Sequence, residues 1–329
     1  MSENALTQTT IKALLTDFHS NSNQCGLDVF VVMKNAPMLK RISLSEKTNN
    51  EGDTLRTVLK NMLFSVINDN YISEEAEYVD GTSLADDQHK FLIIPQSGDF
   101  VPFSFLNNTD AISPFSEDDL SNSAGLAFKL RKGEQIIWCY QHLWSIMVPN
   151  RKKNNIMARL NGFENQTVFE EQSESLLTIA RKIDILIIND SLITANTSLL
   201  QNNFGFQTYI YQAAQQTITS IASTNLLSNT DKLTEYISRG KPKYAKKMMR
   251  IAASKVLSLD ANELLHKIQT VERWKDKFCI DETTNKIVIK TYAEVERLID
   301  LLDERYTRSD ITDTEYDTDV KTIAQPVMA

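Results

Sequence analysis

Residues 127–140, AFKLRKGEQIIWCY, decide the reading of the N-terminal half. Ala127 to Arg131 and Gln135 to Tyr140 are two apolar and aromatic runs, and the break through Lys132 and Gly133 is short enough to join them as a β-hairpin. Working outward, Leu27 to Met33 (LDVFVVM) and Leu39 to Leu44 read as strands bracketing turn material from Lys34 to Pro37, because Val, Phe and Ile are enriched in them. Asp53 reads as an N-cap, and Leu55, Val58, Leu59, Met62, Leu63 and Val66 follow it at helical spacing. Phe91 to Ile94 forms a short apolar run that Pro95 ends. A sheet with at least one covering helix results.

Beyond Met147 the pattern changes. Pro149, Asn150, Arg151, Lys152, Lys153, Asn154 and Asn155 are polar, basic and turn-prone, with no apolar periodicity running through them. This places an N-terminal α/β domain at residues 1–150 and a mainly helical domain at 151–329, the alternative being a long surface loop within one domain. Ile183 to Ile188 and Leu192 to Thr194 flank Asn189 and Asp190 as a second hairpin. Phe204 to Leu227 reads as a helix with Phe206, Ile210, Ala213, Ala214, Ile218 and Ile221 on one side. Asp260 with Glu263 and Thr291 with Glu294 resemble capping boxes, and Phe278 to Asp281 with Lys286 to Lys290 resembles a hairpin between the helices they open. The fold class is α+β: an N-terminal mixed sheet with covering helices, then a mostly helical C-terminal half with β-hairpins.

Within a chain of 329 residues and net charge -8, the run Tyr236 to Leu259 (YISRGKPKYAKKMMRIAASKVLSL) carries seven Lys or Arg residues and no Asp or Glu. A local excess of this kind in an acidic protein points to a polyanionic partner, and DNA is the first candidate. Pro242 suits a first helical position, so a helix is expected from Lys243 to Leu257. At about 100° per residue, Lys243, Lys246, Lys247 and Arg250 share one arc, and Tyr244, Met248, Ile251, Ala252 and Val256 take the opposite side. These four are the expected central DNA contacts, flanked by Arg239, Lys241 and Lys255, with Arg151, Lys152 and Lys153 extending the track. An ordinary solvated helix face gives the same pattern, although such a face gains from interleaved acids that are missing here.

No glycine loop for phosphates, no HExxH and no GxSxG occur, so the sequence supplies no catalytic residue, metal site or cofactor. Its carboxylates keep a metal-dependent nuclease as an alternative, since such a site is assembled in space rather than in sequence. A scaffold docking an acidic protein or lipid headgroups is the other. Cys25, Cys139 and Cys279 are odd in number and far apart, suggesting neither disulfides nor zinc. The first residues lack a signal peptide's basic and apolar regions, and no apolar stretch reaches the ~18 to 20 residues of a membrane span, so a cytoplasmic protein is expected.

The segments RKIDILIINDSLITAN followed by FGF and a long helix, then Arg239 through KKMMRIAASKVL, then IDLLDERYTRSDIT are similar in order and character to the KwaB-like family of the bacterial Kiwa anti-phage defence system. The resemblance covers about half the chain and includes no short signature. It implies a DNA-binding effector that obstructs phage replication or transcription, works with a membrane-embedded KwaA-like partner that recruits it to the inner membrane, and assembles as a homodimer within a larger complex. It supplies no catalytic residues.

Overall fold

The computed structural model describes residues 6–36, 38–81, 90–107, 109, 112–144, 147, 158–163, 166–171, 177–240, 242–308 and 315–317. The chain divides into two compact units. The first comprises Met1–Tyr78, Gln88–Ser97 and Val101–Ala195, and the second comprises Val79–Asp87, Gly98–Phe100 and Asn196–Ala329.

The first unit starts with helix α1 (Gln8–Ser20), strands β1 (Gly26–Met33) and β2 (Leu39–Ile42), and helix α2 (Leu55–Val66). Strands β3 (Glu77–Asp80), β4 (Lys90–Pro95), β5 (Ser123–Lys132) and β6 (Gln135–His142) follow. A separate hairpin, β7 (Ala158–Phe163) with β8 (Gln166–Glu171), precedes β9 (Ile185–Ile188) and β10 (Ser191–Thr194). One eight-stranded sheet has the order β2-β1-β5-β6-β9-β10-β4-β3. The opening hairpin is present, with Ala127 opposite Tyr140 and Lys132 opposite Gln135. Its loop is Gly133 and Glu134, one residue later than expected, and Gly133 takes φ +59°, which a residue without a side chain adopts at least cost.

Both faces of the sheet are buried. Leu27, Val29, Val31, Phe128, Leu130, Ile137 and Cys139 lie in one core with Ile11, Leu15 and Phe18 of α1 and Leu59, Leu63 and Phe64 of α2. On the other face Phe30 packs on Trp138 with ring centroids 5.5 Å apart, and Phe103 meets Tyr140 edge-on at 5.2 Å. Burial on both sides is why β9, ILII over Ile185–Ile188, reads as an unbroken apolar run instead of alternating. Gly125 lies under Tyr140, where a Cβ would stand 2.3 Å from the ring. The helix cap expected at Asp53 is Thr54, whose hydroxyl accepts from the Thr57 N–H.

The expected boundary near residue 150 differs from the division after Ala195. Strand β9 pairs with β6, and β10 pairs with β9 and β4, so this late hairpin completes the sheet of the first unit. Pairing of strands so distant in sequence leaves no local mark.

The second unit is built from α3 (Thr197–Asn203), α4 (Phe206–Ser223), α5 (Asp231–Arg239), α6 (Pro242–Ala253) and α7 (Ala261–Thr270), then β11 (Cys279–Asp281) paired with β12 (Lys286–Val288), and α8 (Tyr292–Leu302). A short pair, β13 (Tyr306–Arg308) with β14 (Glu315–Asp317), follows. Helix α4 starts two residues later than expected, after Gly205 in the left-handed region, and buries Phe206, Ile210, Ala214, Ile218 and Ile221. Phe100 stacks on Tyr209 and packs at a tilt against Phe206, and residues 98–100 belong to this unit. The Thr291 and Glu294 capping box forms as expected. At α7, Asp260 caps the helix alone, and Glu263 instead pairs with Lys267 at 2.8 Å.

Candidate nucleic-acid interface

Helix α6 begins at Pro242 and ends at Ala253, four residues earlier than the expected end at Leu257. It packs on α4 and on α8, while α5 also packs on both. Ala245, Met248 and Ile251 are fully buried. The neighbouring arc is the basic one, and it is covered too. Lys247 is 0% exposed and its Nζ lies 2.8 Å from Asp300 Oδ1 on α8. Arg250 pairs with Asp303, its Nε donating to Oδ1 at 3.0 Å and a terminal nitrogen reaching Oδ2. Asp300 also receives Arg305 at 3.2 Å. Lys246 is buried as well.

The expected exposed face of Lys243, Lys246, Lys247 and Arg250 is therefore corrected. Only Lys243 of the four is exposed. The reason is register: Lys247 and Arg250 stand three apart on α6, Asp300 on α8 and Asp303 at its C-cap are likewise three apart, and an α-helix advances about 4.5 Å over three residues. The two pairs rise together as matched rungs. Burying one charge alone is costly, so these cations are stable inside only because the carboxylates accompany them. Charge complementarity between KKMMR and DLLDER was the available signal, but nothing local shows that the two helices meet.

Of the flanking residues, Arg239 is 75% exposed at its side chain and pairs with Glu235 at 3.0 Å, and Lys255 is exposed in a 3-10 turn beyond α6. Lys241 and the Arg151, Lys152, Lys153 track lie outside the described residues.

The turn between α5 and α6 brings together groups that periodicity did not single out. Gly240 is pressed against the end of α5, where a Cβ would lie 2.7 Å from the Tyr236 carbonyl oxygen, and its own carbonyl accepts from the Tyr211 hydroxyl at 2.8 Å. This tight reversal sets Tyr236 edge-on to Tyr244 at 5.0 Å, and Tyr236 also contacts Tyr292 at 5.4 Å. Both the Tyr236 and Tyr244 hydroxyls donate to Oε1 of Glu296. Burial, then the hydrogen bond to Glu296, pushes the Tyr236 phenol well above its usual range, so it stays a donor. A cleft of about 450 Å³ is lined by Tyr236, Arg239, Gly240, Tyr244, Tyr292 and Glu296. Lys232 stands 5.4 Å over the Tyr292 ring and 2.9 Å from Glu235.

Among the described residues, no group of three or more His, Cys, Asp or Glu is placed to hold a metal ion. None of their helices is long and apolar enough to cross a membrane. Cys25 and Cys139 are buried and Cys279 is exposed. Trp274 is half-buried and packs on Phe278.

An eight-stranded sheet unit followed by a helical unit with a cation-bearing turn and an aromatic cleft defines an α+β protein whose distinguishing surface lies in its C-terminal part. The chain belongs to the KwaB-like family: the family model for Kiwa protein KwaB-like matches residues 120–312, more than half of its length. Membership makes it a component of the Kiwa type of anti-phage defence. No curated protein and no solved structure matches it significantly.

Proposed function

We propose that this KwaB-like chain binds invading DNA through its phosphate backbone without cutting it, obstructing phage replication or transcription. Its contacts are Arg239, Lys243 and Lys255, with Lys241 of the same run and Arg151, Lys152 and Lys153 extending the track. Lys246, Lys247 and Arg250, assigned to DNA on sequence alone, instead hold α6 in place in this reading. The supporting observation is the acid-free basic run in a chain of net charge -8, whose exposed members stand at both ends of α6. Twelve helical residues separate those ends by about 18 Å, so the contacts are spread along a strand. The chain acts as a cytoplasmic homodimer brought to the inner membrane by a KwaA-like partner.

The test is fluorescence anisotropy of the full chain with a labelled duplex across a salt series. Three phosphate contacts contribute roughly -2.7 to the slope of log affinity against log salt. The variant R239A/K243A/K255A should flatten the slope by that amount while remaining folded, since exposed substitutions change stability by about 0.5 kcal/mol each. An unchanged slope overturns the assignment.

A further inference from the structure

The tyrosine cleft between α5, α6 and the start of α8 is not used by a backbone-only grip. Its volume of about 450 Å³ falls within the ~300–1,000 Å³ of small-ligand sites, and its walls are aromatic. Tyr292 is 42% exposed although it belongs to a ring cluster. Arg239, 75% exposed at its side chain, stands at the same cleft, and exposed Lys243 immediately precedes Tyr244.

Two occupants suit aromatic walls: a cation and a flat π-system. The charge layout disfavours a cation. Glu235 is engaged by Lys232, Arg239 and the Tyr292 hydroxyl. Glu296 is the one lining carboxylate, and its Oε1 is taken by two phenol protons. With Arg239 beside it, the cleft has no surplus of negative charge. A neutral base fits these walls, and the adjoining Arg239 and Lys243 suit the phosphates on either side of it. Aromatic platforms beside a cationic track are how unpaired strands are held, because every base offers a π-face. Glu296 Oε2 takes no hydrogen bond from a described residue, and a carboxylate oxygen can accept one from a base amino group.

We propose that this cleft seats an unpaired nucleobase, so that the DNA engaged by the second unit is single-stranded or locally opened. The inference rests on the DNA-binding reading above and adds the strand form. Duplex DNA keeps its bases stacked and touches only the cations. An exposed strand, as at a replication fork or transcription bubble, touches the cations and the rings.

The test compares the full chain with Tyr292→Ala and Tyr292→Phe, using a labelled single-stranded oligodeoxyadenylate and a blunt duplex of equal length. Stacking of one base predicts that Tyr292→Ala weakens single-strand binding by about 5- to 150-fold, with duplex affinity and both salt slopes unchanged. Tyr292→Phe, which keeps the ring, should bind single strands as the parent does, and thermal melting of both variants establishes that they are folded. Equal single-strand affinity for parent and Tyr292→Ala overturns the proposal, as does parallel loss on single strand and duplex. A parent that binds duplex but not single strands overturns this inference and leaves the backbone reading standing. A parent that binds neither, but whose tyrosine fluorescence responds to a polyarginine peptide, overturns both and makes the cleft a cation site.

Discussion

Lys247 Nζ lies 2.8 Å from Asp300 Oδ1, with 1% of the lysine side chain exposed. A basic helix in an acidic protein therefore turns its strongest concentration of charge inward. The pair ties α6, which follows the cleft-forming turn, to α8, which supplies Tyr292 and Glu296, so two walls of the cleft depend on it.

Lys247→Ala should destabilise the chain by about 3–5 kcal/mol in urea unfolding, because removing one partner strands a buried charge. Asp300→Ala should cost a similar amount, and the two changes together should cost less than their sum. Additive losses would mean that the pair is not coupled in solution.

Arg250→Lys should be clearly destabilising despite keeping the charge. Asp303 receives two nitrogens of one guanidinium, a forked geometry that an ammonium cannot reproduce. Thermal melting should place Arg250→Lys well below the parent, and the exposed Lys243→Arg should melt with it.

Gly125→Ala should disrupt the first unit. Its Cβ would sit 2.3 Å from the Tyr140 ring, and that ring is 1% exposed, so it has little room to move. Overpacking of this kind costs about 1–3 kcal/mol. The double variant Gly125→Ala with Tyr140→Leu should recover part of it in chemical denaturation.

Acid should weaken the start of α8. Glu294 Oε2 accepts the Lys290 N–H at 2.7 Å and the Thr291 N–H at 2.9 Å, and these bonds, the Lys290 one first, hold its carboxyl below the ordinary value of 4.5. A depressed folded pKa stabilises above the unfolded value, and that contribution disappears as pH falls through the folded one. The melting difference between the parent and Glu294→Gln should therefore be present at neutral pH and narrow below about pH 4.5. A constant difference would rule out this linkage.

Sedimentation of the isolated chain should give a dimer, twice the 37.4 kDa chain mass, that does not pellet with vesicles unless a membrane partner is present. A monomer at micromolar concentration, or pelleting alone, would argue against the proposed assembly.

The elements and their class were legible because they are local. LDVFVVM and IDILII carry strand composition, Thr291 with Glu294 closes a capping box within one turn, and the acid-free run around α6 is visible to simple counting. The family resemblance drew on the same local order. Which cations reach solvent was not legible, because Lys247 and Asp300 are 53 residues apart and helical periodicity orders only the residues of one helix. The arc it called a free face is a second buried face, covered once α8 packs there. The cleft was hidden for the same reason: Tyr236, Tyr244 and Tyr292 converge only through the Gly240 reversal and the docking of α8. Local chemistry determined what this chain is made of, and long-range packing decided which of its charges and rings remain available to a partner.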